Sequence, residues 1–484
     1  MDLLLYQAAI NLSTGQYNCV LGYNAAGSGV MTGDQNIVIG NAAGYDLTSG
    51  HSNVLVGGNA GGNLTTSQDN VALGRNALIT AQAAHNYNVA IGAYALATEN
   101  SGADGCVAIG FKALQDQDVD GAGNTAVGHQ AGLNLTTGQY STYVGYNAGG
   151  LGTITGNNNV CVGYTAGYDL TSGHSNVIIG TQAAQNFTAN NSNVVIGNGA
   201  MEQANAGEHY NIAIGSSALQ YLDQANGDGN VAIGHQAFQD LNTANPQSVA
   251  VGYQAGLNAT TAQYNTILGY QAGANATFTG NSNCIIGHKA GYDITSGEDN
   301  ILIGKNAAQN FTDCFNNIVI GNDAMETANS GESYNIAIGH EALHDLDAGS
   351  GDGNVAIGHQ ASKALSVANP RNVAIGYQAG TAAVTPNNSV YIGYQAGRKL
   401  YAGSGDCIAI GHLAMGAGSR HAAGSDKNIA IGSSAMAGVI GSGSAHNVCI
   451  GYQALNAATS GAYNTVLGNY AGHDITTAGY NTLL

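Results

Sequence analysis

Asn230-Val231-Ala232-Ile233-Gly234 decides the fold, because the chain repeats nearly this phrase 26 times. Asn88-Val89-Ala90-Ile91-Gly92 and Asn372-Val373-Ala374-Ile375-Gly376 are two of its returns, and the Gly residues stand mostly 17 or 18 residues apart. A period this short means one small unit stacked many times, a solenoid. The first and third apolar residues are nearly always Val, Ile, Leu, Thr or Cys, the period-two mark of a strand with an inward face. The expected architecture is all-β, a parallel β-solenoid (β-roll or β-helix) of about 26 turns of 17–19 residues. It is read as a single continuous solenoid over 1–484. At roughly 4.8 Å per stacked strand, the 26 turns predict a rod of about 125 Å.

Working outward from the Gly, Asn stands four residues before it in 21 of 26 turns, and Ala stands three after it in all of them. The Asn column predicts a ladder of amides bonded up and down the stack. The Gly column predicts a corner with positive φ or a close approach by the next turn. An unvarying Ala, from Ala25 to Ala471, predicts a wall that admits one methyl group. Seven residues after the Gly an apolar residue often follows, such as Leu47, Leu135, Leu170 or Ile294, and then Thr-Thr-Gly or Thr-Ser-Gly reads as a turn.

The residue between the two presumed inward positions is apolar in every turn. Facing water, it would form an apolar stripe too large to leave wet. The expectation is therefore burial against other chains, most simply in a parallel homotrimer. The interface residues singled out are Val20, Val38, Leu55, Tyr143, Ile178, Val195, Ile267, Ile285, Leu302, Val319, Tyr391 and Val466.

A longer period overlies the short one. Tyr45-Asp46-Leu47-Thr48-Ser49-Gly50 returns as Tyr168-Asp169-Leu170-Thr171-Ser172-Gly173 and as Tyr292-Asp293-Ile294-Thr295-Ser296-Gly297. Super-repeats are placed at 22–144, 145–268 and 269–392, with a divergent partial copy at 393–484 in which one turn stretches between Gly411 and Gly432. The ends, Tyr6-Gln7-Ala8-Ala9-Ile10-Asn11-Leu12 and Tyr480-Asn481-Thr482-Leu483-Leu484, halt mid-turn, which points to a fragment, a processed product or a segment continued by another chain.

Composition excludes several roles. The net charge is −19, from 10 basic and 29 acidic residues, which argues against binding a phosphate backbone or an anionic membrane. No stretch approaches the roughly 20 apolar residues of a membrane helix. Met1-Asp2-Leu3-Leu4-Leu5-Tyr6 lacks the basic start and long apolar run of a secretory signal. Most of the 7 Cys are scattered through apolar slots or stand, as Cys106 and Cys407 do, in the Asn column, and no CxxC is present.

Asn211-Ile212-Ala213-Ile214-Gly215 and Gly145-Tyr146-Asn147-Ala148-Gly149 resemble the head repeats of trimeric autotransporter adhesins and, equally, the repeats of phage and viral tail-fibre β-solenoids. The resemblance covers practically the whole chain. It implies a left-handed trimeric coil that projects from a cell or virion and binds a surface. The turns here are longer than the adhesin head repeat, and no coiled-coil stalk or anchoring barrel is present in the sequence.

Three constellations could carry chemistry. Tyr and Gln follow the Gly in Tyr253-Gln254, Tyr270-Gln271, Tyr377-Gln378 and Tyr394-Gln395, a candidate stripe for a glycan or another partner. His340 and His359 fall on adjacent turns, where a metal could bridge them. Asp223, Asp228, Asp345, Asp347 and Asp352 lie on recurring loops that could hold Ca²⁺, although no established calcium-loop spacing is present. No unlike residues gather outside the repeat, so no catalytic residue and no cofactor is assigned and the chain is read as no enzyme. The leading expectation is an extracellular structural and adhesive fibre on a virion or cell. A self-assembling filament or sheath subunit is the alternative, and an ice-binding solenoid the third.

Overall fold

The structure is a computed structural model, and it describes residues 8, 12–79, 85–98, 102, 104–118, 122–205, 207–346, 351–365, 371–382, 387–400, 405–416, 425–438 and 443–484. Asp347, most of the first half-turn and 417–424 of the stretched turn lie outside these residues. The chain forms two compact units, Met1–Gln247 and Ser248–Leu484. The same repeat builds both.

The fold is an all-β parallel solenoid. The first unit runs from β1 (Cys19–Leu21) to β13 (Val231–Ile233), and the second from β14 (Val249–Val251) to β27 (Thr482–Leu483). Each three-residue strand is the phrase before one Gly. Within a unit, successive strands pair in parallel and in strict register: Val54 faces Val71, Leu55 faces Ala72, and Val56 faces Leu73. The middle residues therefore form one column and the first and third residues, the outer pair, form two more.

The glycine column meets both expected demands at once. Gly40 has φ +140°, and a Cβ there would lie 2.4 Å from the carbonyl oxygen of Gly57; Gly57, with φ +134°, stands likewise 2.6 Å from Gly74. No L-side chain tolerates that backbone or that contact.

The Asn column forms the expected ladder. Asn53 donates from its backbone N (3.0 Å) and its side-chain amide (3.1 Å) to Asn36 Oδ1, and the same amide donates to Ser67 O at 2.8 Å. Asn70 repeats the pattern on Asn53. Each amide thus joins its own rung to both neighbours. Where Ser replaces Asn, the hydroxyl takes over the acceptor role, as Ser141 Oγ does for Asn159 N at 3.0 Å.

The strand faces are the reverse of those expected from sequence. Val38, Leu55, Tyr143, Ile178, Val195, Ile267, Ile285, Leu302, Val319, Tyr391 and Val466 are fully buried in their own chain, and Val20, on the first strand, is half-buried. They are core residues and cannot meet a second chain. The outer pair instead faces out, and in no rung is either member buried. Strand side chains alternate, so one set had to face inward, and it is the middle one, whether Ala or Tyr.

Size matching within the core gives the reason. The middle residue packs against the Ala column, which is buried from Ala25 to Ala454, and against the fourth residue after the Gly. In most rungs that fourth residue complements the middle one. Ala72 goes with Leu78, Ala90 with Leu96 and Ala232 with Phe238, whereas Leu55 goes with Gly61, Ile285 with Gly291 and Tyr391 with Gly397. A Cβ on Gly61 would lie 2.8 Å from Leu55 Cδ2. Native interiors fill space to crystal density, so one partner shrinks as the other grows. Leu47, Leu135, Leu170 and Ile294 close the core from the far side.

Candidate functional site

The outer pair makes an extensive apolar surface. In each unit it forms two parallel columns of Val, Ile, Leu, Thr and Cys on the exposed face of the sheet, with Ile37 41% and Leu268 44% exposed. None of these positions in the 26 rungs carries a charge, although the chain has 10 basic and 29 acidic residues. At roughly 40 Å² from each side chain the stripe presents on the order of 1,000 Å² per unit, above the roughly 300–600 Å² of the largest patch on an ordinary monomer. Sequence reasoning missed this surface by assigning the outer pair to the core. The signal was present in the absence of charge.

Aromatic columns flank the stripe. Where aromatic residues follow the Gly in successive rungs, they stack: Tyr253 on Tyr270 at 5.2 Å and 10°, His359 on Tyr377 at 5.0 Å, and Tyr377 on Tyr394 at 5.3 Å and 8°. The adjoining glutamines form an amide ladder, Gln271 Nε2 to Gln254 Oε1 at 2.8 Å and Gln395 Nε2 to Gln378 Oε1 at 2.7 Å. The structure thus brings Tyr253, Gln254, Tyr270 and Gln271 together, and likewise Tyr377, Gln378, Tyr394 and Gln395. It does so by turning the ring faces toward one another. The rings present edges outward, so the face-on stacking that sugars use is taken up within the column.

On the other side, the residue before the Asn column adopts a left-handed conformation in rung after rung, for example Tyr87 (φ 62°), Tyr210 (φ 59°) and Tyr334 (φ 59°). These tyrosines are strongly exposed, Tyr210 at 68%. Nothing in the sequence signals positive φ at a Tyr, because the conformation is imposed by the stacking of rungs.

The proposed ion sites look different in three dimensions. His340 and His359 stack at 5.1 Å and 8°, so their in-plane nitrogen lone pairs run side by side and do not converge. Asp228 Oδ1 accepts the backbone N of His209 at 2.7 Å, and Asp352 Oδ1 that of Ser333 at 2.7 Å. These carboxylates cap the amides of the preceding rung. Asp345 Oδ1 meets His344 Nδ1 at 2.5 Å, and His344 Nε2 lies 3.1 Å from Glu326. No group of three or more His, Cys, Asp or Glu residues able to hold a metal occurs among the described residues.

One polar cluster carries a perturbed acid. Glu341 accepts from Lys363 Nζ at 2.6 Å and from Gln360 Nε2 at 2.6 Å. The Lys363 hydrogen bond, the largest of the causes, holds the Glu341 carboxyl down at about 2. Burial pushes the thiols of Cys161 and Cys449 up to about 12, so these groups are protonated and inert near neutrality. Among the described residues no helix is long and apolar enough to cross a membrane.

No protein-family model matches the chain, and no curated protein matches it.

Proposed function

We propose that the chain is a structural and adhesive fibre element, assembled side by side with copies of itself through the outer-pair stripe and displayed outside the cell or on a virion. The uncharged, half-exposed columns of Val and Ile carry this reading. A patch of this size matches what a stable interface needs from each partner, about 800 Å². Two columns per chain fit a parallel threefold bundle, in which one column of each chain meets the other column of its neighbour. The resemblance to adhesin-head and tail-fibre repeats supports the same arrangement. Stacked aromatic edges and amide ladders then remain at the margins, available to a surface.

Light scattering on the purified protein tests the assembly. A mass of three chains is expected, and Ile303→Glu together with Ile320→Glu, both in the outer pair, should reduce it to one chain without unfolding the protein. A monomer at all concentrations contradicts the reading, and open-ended growth would replace it with a filament.

A further inference from the structure

The three copies of the element that begins Tyr-Asp fold alike. Leu47, Leu170 and Ile294 are buried. Thr48, Thr171 and Thr295 each donate a hydroxyl hydrogen to the next rung, to Thr65 O at 3.0 Å, Thr188 O at 3.0 Å and Thr312 O at 2.9 Å. The surroundings of the tyrosine ring differ. In the third copy Lys289 Nζ lies 5.0 Å from the centroid of Tyr292, and Gln309 occupies the next rung. In the second copy the same two places hold Thr165 and Gln185. In the first they hold Ala42 and Gly62.

Loss of these side chains opens a cleft of about 350 Å³ beside Tyr45, with Asn24, Asn59 and Asn63 around it and Ile79 on its wall. The backbone does not force the opening. A Cβ on Gly62 would meet nothing nearer than Asn59 O at 3.3 Å and Ile79 Cγ1 at 3.6 Å, and its φ lies outside the left-handed region. A side chain fits there, and the sister copies carry one.

We propose that the Tyr45 cleft binds an uncharged saccharide unit. The phenol ring and Ile79 offer an apolar surface to the C–H face of a pyranose, and three carboxamides offer donors and acceptors to its hydroxyls. The lining is about as polar as it is apolar, which suits a ligand as rich in hydroxyls as a sugar, and the volume is at the lower end of the roughly 300–1,000 Å³ of small-molecule sites. No charged side chain lines the cleft, and the chain carries −19 overall, which disfavours an anionic sugar. This assignment deepens the adhesive reading above and rests on it.

Saturation-transfer NMR on the full chain tests it. The probes are the methyl glycosides of glucose, galactose, mannose, N-acetylglucosamine and N-acetylgalactosamine, with N-acetylneuraminic acid as the anionic comparison. At least one neutral glycoside should receive saturation and titrate in the millimolar range of weak single-sugar binding. Gly62→Gln, which copies the sister elements and should leave the melting temperature unchanged, should weaken that binding at least about tenfold, a 1.4 kcal/mol effect. Tyr45→Ala should do the same. Absence of transfer to every neutral glycoside, transfer only to the anionic one, or transfer undiminished in Gly62→Gln overturns the proposal. Chain mass does not enter this measurement, so failure here and failure of self-association are told apart.

Discussion

The ring of Tyr143 fills the space above Gly132 in the rung before it: a Cβ on Gly132 would lie 3.1 Å from Tyr143 Cδ2. Ala126, also in that rung, is small at the middle position, so one tyrosine serves two floors of the core. Tyr391 repeats the arrangement over Ala374 and Gly380, where a Cβ would lie 2.8 Å from its Cδ2. In each tyrosine rung Ser141 or Ser389 replaces the ladder Asn and lies against the phenol. Burial raises both phenols well above their ordinary range.

This size matching makes a coupled pair of substitutions informative. Leu302→Ala should cost about 2–5 kcal/mol by leaving a cavity. Ala308→Leu should also destabilise alone, by about 1–3 kcal/mol, through overpacking. Together they recreate the Ala72–Leu78 pairing, and the double variant should recover at least about 1 kcal/mol relative to the sum. Urea midpoints of the four proteins measure this. Simple additivity would show that the two residues do not share one space.

Asn300 tests the ladder. Its amide donates to Asn283 Oδ1 at 3.1 Å and Cys314 O at 2.7 Å, and its Oδ1 accepts the N of Asn317 at 3.0 Å. Asn300→Ala leaves buried backbone groups unpaired and should cost about 2–3 kcal/mol. Asn300→Ser should cost less, because Ser141 already performs the acceptor role. Amide exchange at Asn317 should quicken in the Ala variant above all.

Much of this is legible in the sequence. The Val-Ala-Ile-Gly phrase carries strand, period and parallel stacking, and the Asn and Gly columns carry the ladder and the corner that the structure shows. The direction of the strand face is not so legible. Large residues such as Ile37 and Ile39 look like core and Ala72 or Ala90 like surface, and that habit of reading inverted the rung. The corrective signal was the inverse size relation between Leu55 and Gly61, or Ala72 and Leu78, which only a packed interior demands. The cleft at Tyr45 was written in Ala42 and Gly62, but only comparison with Lys289 and Gln309 in three dimensions gives them meaning. The left-handed tyrosines, Tyr87 and Tyr210, had no sequence signal.

The glycine column separates required from replaceable positions. Gly304 has φ +138° and a virtual Cβ 2.4 Å from Gly321 O, so Gly304→Ala should destabilise by more than about 3 kcal/mol or prevent folding. Gly58→Ala, in open space with its nearest atom 4.0 Å away at Asn41 O, should change stability by less than about 0.5 kcal/mol. Thermal melts of the two variants decide this.

Glu341 predicts a pH effect of definite sign. Its carboxyl falls from an ordinary 4.5 to about 2 in the folded chain, chiefly through Lys363. A depressed acid stabilises the fold above its unfolded pKa, and that contribution disappears as pH falls through the folded value. Wild type should therefore exceed Glu341→Gln in melting temperature above about pH 5 and converge with it near pH 2. A gap that persists unchanged to pH 2 would rule out the ion pair as its source.

The outward set of the strand includes a built-in reporter, Cys284, half-buried at the first outer position beside Ile286, while Cys161 is sealed in the core. Alkylation of the native protein by iodoacetamide, read by mass spectrometry, compares the two thiols directly. If copies pack through the stripe, Cys284 should react at least about tenfold more slowly in the native assembly than in the dissociated Ile303→Glu, Ile320→Glu protein, with Cys161 silent in both. Alkylation of Cys284 at the same rate in both would contradict the account.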